Sequence, residues 1–230
     1  GFGLSDKQQA VLQETKPILD YFTLPIEKIR NYYQHSVIQM AAHSFGSYVC
    51  LLYASSHKTV VEKVIMFSPI GITSKEEDYK HKVEGCSGVL HWLISQLGWK
   101  CELSYKNFLR YFVCCCQRWV LRKMFSSGGN SEERVEAFSR LIFRMLYEPI
   151  CGERLFFKIF LPRVLPLYNL EEHFRLDPPH CRTKLIYGEE DWVDTVGAKR
   201  LAVRCADQVS YHELRGTDHQ IFFSGREGIR

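Results

Sequence analysis

Short apolar runs alternate with helical apolar periodicity at both ends of the chain, while the middle is helical almost throughout. From 13 to 33, "QETKPILDYFTLPIEKIRNYY" places Ile18, Leu19, Phe22, Ile26 and Ile29 at helical spacing. That pattern predicts an amphipathic helix, interrupted near Pro25. "SVIQMAA" (36–42) is a short apolar run with β-branched residues, which predicts a buried strand. "FGSYVCLLYASSH" (45–57) predicts an apolar helix with small residues on one side, and "VEKVIMFSPIG" (61–71) a second buried strand ended by Pro69 and Gly71. Near the other end, "TKLIYGEED" (183–191) predicts a third strand, "TVGAKRLAVRC" (195–205) a helix and "QVSYHELRG" (208–216) a fourth strand. Strands alternating with helices imply an α/β architecture with a largely parallel sheet.

Between these ends, "SGVLHWLISQLGW", "LSYKNFLRYFVCCCQRWVLRKMF" and "SEERVEAFSRLIFRMLYEP" carry long helical patterns and little strand signal, with "SSGGN" (126–130) the clearest loop. The organisation expected is one core split by an insertion. Residues 1–74 and 176–230 form the core, and 75–175 form a helical lid between two of its strands.

Composition narrows the class without choosing a function. The chain of 230 residues is 46% hydrophobic and 24% charged, an ordinary globular balance with enough apolar residues for a full core. A net charge of +4 points to no nucleic-acid role by itself. Nine cysteines, three of them consecutive (Cys114, Cys115, Cys116), do not form a spaced, even-numbered disulfide framework. They read as reduced thiols in a cytosol-facing compartment. Without C-x-x-C spacing no zinc site is expected, and no cofactor is implied.

The candidate chemistry starts where the first buried strand hands over to a helix. Ala42-His43-Ser44-Phe45-Gly46 is a variant of G-x-S-x-G with alanine at the first position. In that motif the serine occupies a strained strand-to-helix turn, so residues two before and two after must be small. The turn also aims the Phe45 backbone N–H toward a developing oxyanion. The same five residues equally suit a serine N-cap on an ordinary turn. A nucleophilic serine needs a base and an acid that orients the base. Asp191 lies just past a strand's C-terminal end, where α/β sheets gather their functional groups, and His219 follows the last strand. The chain order Ser44, Asp191, His219 is that of the serine hydrolases built on a strand–turn–helix elbow. Each has a rival. Asp194 reads as a cap of the helix near Thr195, His212 as structural, and His43 as a buried, hydrogen-bonded side chain pointing away from Ser44. Glu189 and Glu190 read as a solvated loop rather than a glycosidase pair.

With these motifs in hand, the chain resembles the lipid hydrolases of α/β-hydrolase fold in the branch of N-acylphosphatidylethanolamine lipase, the adipose triglyceride lipase co-activator and the cardiolipin-specific deacylase. "GFGLSDK" is similar to the loop after that fold's fourth strand, "HSFGSY" to its elbow, and "VIMFSPIGI" to its sixth strand. "YGEEDWVDTVGA" resembles the branch signature Y-G-x-x-D-W-[IM]-D, and "GTDHQIF" the histidine loop. The resemblance implies Ser44 as nucleophile, His219 as base, Asp191 as acid and the Phe45 amide as one oxyanion donor. It also implies phospholipid acyl groups as substrates, although some members act without catalysis. Ala42 and Ser47 stand where the branch has glycines. Ser224 stands at the aspartate of the H-x4-D pattern associated with acyl transfer to lysophosphatidic acid. Matched this way, the chain is expected to lack the fold's first four strands and the His-Gly loop that supplies a second oxyanion N–H.

The stretch from Lys100 to Lys123 interleaves Lys106, Arg110, Arg118 and Arg122 with Tyr105, Phe108, Tyr111, Phe112 and Trp119. Basic side chains among interfacial aromatics suit an anionic lipid surface, and the adjacent cysteines suit palmitoylation. The expectation is a cytoplasmic serine hydrolase of phospholipid ester or amide bonds, peripheral to a membrane or lipid droplet, mitochondrial membranes included. The alternatives are a non-catalytic scaffold that regulates another lipase, and a small-molecule esterase or iminopeptidase-like enzyme.

Overall fold

The structure, a computed structural model, describes residues 14–72, 122, 132–147, 152–161 and 165–224. The helical patterns at 87–99 and 103–125 lie outside these residues, Arg122 apart, as does the triple cysteine. Helix α1 spans Thr15–Tyr32, strand β1 Ile38–His43, helix α2 Phe45–Ser56 and strand β2 Val61–Phe67. After them come α3 (Glu132–Leu146), α4 (Gly152–Ile159), β3 (Phe160–Leu161), β4 (Leu165–Pro166) and α5 (Leu170–Leu176). The chain then forms β5 (Arg182–Gly188), α6 (Val196–Arg204), β6 (Val209–Leu214) and α7 (Ile221–Ser224).

The main sheet has the order β1-β2-β5-β6, and every neighbouring pair is parallel. Parallel strands all end on the same side, so the residues following β1, β2, β5 and β6 converge on one edge. The core fills the space between sheet and helices with Tyr48 and Leu51 of α2, Val64 and Met66 of β2, Leu185 and Tyr187 of β5, and Leu201 of α6. Leu155, Ile159, Phe160, Leu170 and Phe174, all from within 75–175, belong to this same core.

Two elements depart from their sequence patterns. Helix α1 runs through Pro25 without interruption. Pro25 itself is exposed, while Ile18, Phe22 and Ile26 of the same helix pack against the core and hold the helix through the proline. Strand β1 is only half-buried, with Gln39 and Ala41 exposed, because among the described residues it pairs with β2 alone. The short β3–β4 antiparallel pair also goes beyond the sequence pattern, as two-residue strands carry no periodicity.

Helix α1 is fastened to α2 by a polar cluster. Glu27 accepts from Arg30 at 2.6 and 2.9 Å, from Asn31 at 2.9 Å and from the Tyr53 hydroxyl at 2.5 Å. The Arg30 guanidinium, more than any other partner, holds the Glu27 carboxyl down to about 2. Arg122, one of the basic residues of the lid stretch, pairs with Glu132 at 2.8 Å and Glu136 at 3.1 Å on α3. No helix among the described residues is long and apolar enough to cross a membrane. Cys50, Cys181 and Cys205 are free thiols.

Candidate active site

Ser44 is the residue between β1 and α2, and its backbone takes φ 53° and ψ −121°. A positive φ is costly for a residue with a Cβ, so the turn is strained and must be held from outside. The Ser44 amide donates to the Phe67 carbonyl at the end of β2, at 2.9 Å. Ser47, which replaces a small glycine in the elbow pattern, donates its hydroxyl back to the Ala42 carbonyl at 2.8 Å. A Cβ at Gly46 would meet the Ala42 Cβ at 3.6 Å, an ordinary contact. The alanine at the motif's first position therefore costs the turn no space.

The cap reading of Ser44 is not realised: its side chain makes no cap hydrogen bond to α2. Its Oγ instead lies 2.9 Å from His219 Nε2, and His219 Nδ1 lies 2.9 Å from Asp191 Oδ1. An ionised carboxylate only accepts, so Nδ1 carries the proton, and in the neutral ring Nε2 accepts from the Ser44 hydroxyl. Asp191 and His219 are buried, at 4% and 6% exposure. Burial alone would push the Asp191 carboxyl up. The hydrogen bond and charge of His219, the Ser68 hydroxyl and the Val193 amide outweigh it and hold the carboxyl below its ordinary value.

The other polar residues singled out in the sequence fall into place around this chain of bonds. Asp194 accepts from the Val196 amide at 3.0 Å at the start of α6, a capping contact. His212 is exposed on β6 and bonded to Ser210. Glu189 and Glu190 are exposed, and Glu189 accepts from the Gly216 amide at 3.0 Å, bracing the loop that carries His219. His43 is half-buried, but it does not point away from the site. Its Nε2–H donates to the His219 carbonyl at 2.8 Å, and the two rings lie 5.1 Å apart. Burial lowers the His43 pKa, which favours the neutral ring.

Three further residues shape the site: Gly188 and Trp192 stand at fixed positions of the Y-G-x-x-D-W pattern, and Ser68 has no signal of its own. Gly188 ends β5 directly against the histidine loop: a Cβ there would stand 2.4 Å from the carbonyl oxygens of both Thr217 and Asp218. The Trp192 ring lies 4.7 Å from that of His219 with about half its surface open. Ser68, the polar residue before Pro69 at the end of a buried strand, is fully buried beside Asp191. The residue after Ser44, Phe45, packs its ring with Phe22 of α1 at 5.0 Å and Phe156 of α4 at 5.2 Å. Among the described residues, no group of His, Cys, Asp or Glu side chains is placed to hold a metal ion.

A parallel sheet with a strained serine elbow after one strand, and acid and histidine loops after two others, has the topology of the α/β-hydrolase fold, and the chain has that fold. An α/β-fold family hydrolase from Bacillus anthracis str. Sterne superposes with a TM-score of 0.62 at 16% identity, covering 97% of this chain and 75% of that one. A variant of the meta-cleavage product hydrolase CumD from Pseudomonas fluorescens IP01 gives 0.55 at 16% identity, over 95% and 69% of the two chains. A carboxylesterase of Nitrososphaera gargenis gives 0.54 at 14%, over 89% and 66%. No protein-family model matches the sequence. A probable 1-acylglycerol-3-phosphate O-acyltransferase of Oryza sativa subsp. japonica is 22% identical over 213 residues, 87% of this chain. The chain spans about half the length of that relative (50%).

Proposed function

We propose that this chain carries the active site of a serine hydrolase that cleaves acyl ester or amide bonds of phospholipids or related lipids. The observation that carries the reading is the continuous relay from Ser44 Oγ through His219 to Asp191, both links at 2.9 Å. As Ser44 Oγ attacks the acyl carbonyl, its proton passes to His219 Nε2, and the ionised Asp191 stabilises the imidazolium that forms. The Phe45 N–H, in the first turn of α2, faces the developing oxyanion. Collapse expels the alcohol or amine, which takes the proton from Nε2. Water, deprotonated by the same nitrogen, then releases the acyl group from Ser44 as a carboxylic acid.

Two features support an acyl lipid. Phe45, next to Ser44 in the chain, clusters with Phe22 and Phe156, and the exposed rings of Trp192 and Phe222 lie against His219 and His43. The rice relative is named for chemistry on an acylglycerol phosphate. That name also supports a second reading, in which a lysophospholipid hydroxyl replaces water as acyl acceptor. Ser224 at the aspartate's place in H-x4-D favours water. We assign the insertion within 75–175 the role of a lid anchored in the core by Leu155, Ile159, Phe160, Leu170 and Phe174, and its basic aromatic stretch that of contact with an anionic membrane or lipid-droplet surface on the cytosolic side, mitochondrial membranes included.

A fluorophosphonate probe tests the nucleophile. Covalent labelling is expected, and its loss in Ser44→Ala. An unlabelled protein, or labelling that survives that substitution, refutes the reading. Fatty-acid release from phospholipid vesicles, with and without a lysophospholipid acceptor, separates hydrolysis from transfer.

A further inference from the structure

Two buried polar atoms near the site have no hydrogen-bond partner among the described residues: Ser68 Oγ and Asp191 Oδ2. Each would be expensive to leave so, the carboxylate oxygen most of all. Asp191 Oδ1 is occupied twice, by His219 Nδ1 and the Val193 amide, both at 2.9 Å, while Oδ2 has neither.

The backbone fixes Ser68 at the end of β2, against the strand that leads into the Asp191 turn. The Ser68 amide donates to the Ile186 carbonyl of β5 at 2.7 Å, and the buried Tyr187 hydroxyl donates to the Pro69 carbonyl at 2.9 Å. Between these two ties Ser68 is kept at φ 44°, a conformation that a residue with a Cβ adopts only under constraint. From Ile186 the neighbouring strand runs two residues to Gly188, whose carbonyl accepts from the Asp191 amide at 3.2 Å, and this turn brings the carboxylate back over the strand ends. The hydroxyl is near enough to favour the ionised carboxyl, although the bond is not closed to hydrogen-bonding geometry.

We propose that Ser68 is a positioning residue for the acid of this site, its hydroxyl closing a hydrogen bond onto Asp191 Oδ2. The inference rests on the serine-hydrolase reading only for its kinetic consequence. A donor to Oδ2 fixes the carboxylate plane, and with it the imidazole that Oδ1 orients. The other titratable groups acting on or near Asp191 are His219, His43 at the end of β1, Tyr187 on β5, Tyr211 on β6 and Asp194. None of these supplies a hydrogen bond to Oδ2.

The test pairs Ser68→Ala with Ser68→Gly. Both remove the hydroxyl, and glycine also releases the strain at positive φ, which guards against a simple folding failure. The 13Cγ resonance of Asp191 is followed with pH, together with the pH profile of fluorophosphonate labelling at Ser44. A hydroxyl that donates to the carboxylate favours its ionised form, so its loss raises the carboxyl. An upward move of about half to one pH unit is expected in both variants, with the acid limb of labelling moving the same way. Ser68→Cys, a weaker donor, falls between. A carboxyl titration unchanged in both variants overturns the proposal. So does a shift in Ser68→Ala that is absent from Ser68→Gly, because that traces to backbone strain. If the unsubstituted protein takes up no probe, the hydrolase reading fails alone, and the carboxyl titration still decides the role of Ser68.

Discussion

Replacing Gly188 by alanine tests how tightly the end of β5 and the histidine loop are fitted. A Cβ at Gly188 would lie 2.4 Å from the Thr217 and Asp218 carbonyl oxygens, where ordinary contact begins at 3.4 Å. Both obstacles are backbone, so no side chain can swing aside, and one segment must move by about 1 Å. His219 follows Asp218 directly. A displacement of that size carried to Nε2 would stretch the 2.9 Å link to Ser44 to roughly 3.9 Å, outside hydrogen-bonding range. Overpacking of this kind costs about 1–3 kcal/mol, enough to lower Tm by several degrees while leaving the chain folded. The loss at the serine is larger, since a misplacement of about 1 Å can cost on the order of 100-fold in rate. The assay is the second-order rate of fluorophosphonate labelling beside a thermal melt, with Gly46→Ala as control. In the control the new Cβ meets only Ala42 Cβ at 3.6 Å, and labelling stays within about threefold. Labelling of Gly188→Ala at the unsubstituted rate, or an equal loss in both variants, would refute the steric argument.

His43→Leu removes the donor to the His219 carbonyl and is expected to slow labelling roughly tenfold while Ser44 stays in place. Because burial lowers the His43 pKa, the unfolded chain binds its proton first. Stability therefore falls as pH drops below about 6.5, and urea melts of His43→Leu lack that part of the pH dependence. Glu27, held at about 2, behaves with the opposite charge type: its contribution is complete above the ordinary carboxylate range and is lost as pH falls from about 4 toward 2. Glu27→Gln should flatten the stability curve in that window, and an unchanged acid limb would show that the cluster joining α1 to α2 contributes nothing.

Much of this arrangement is legible in the sequence. The β-branched runs at 36–42, 61–71 and 183–191 mark strands because burial on a parallel sheet selects such residues. Ser44, Asp191 and His219 stood out because each follows a strand in a fixed chain order, and the fold brings all three together. Pro25 does not interrupt α1 because the face formed by Ile18, Phe22 and Ile26 packs on the core, and such packing overrides the local cost of a proline. The roles of Gly188 and Ser68 are not legible for a different reason. What each does depends on how closely a neighbouring strand end passes, a distance that no periodicity along one segment encodes. His43 is expected to be buried and hydrogen-bonded, but that its partner is the His219 carbonyl depends on where the histidine loop passes, which no local pattern encodes.

Ser44 and His219 are 175 residues apart along the chain, yet one hydrogen bond joins them. Contacts of that span close late, after shorter loops have formed, because their entropy must be met before they give anything back. During refolding, reactivity at Ser44 should therefore lag behind helix formation. A chain that has recovered its circular dichroism would still be inert, which makes probe uptake a gauge of the last step of assembly rather than of secondary structure.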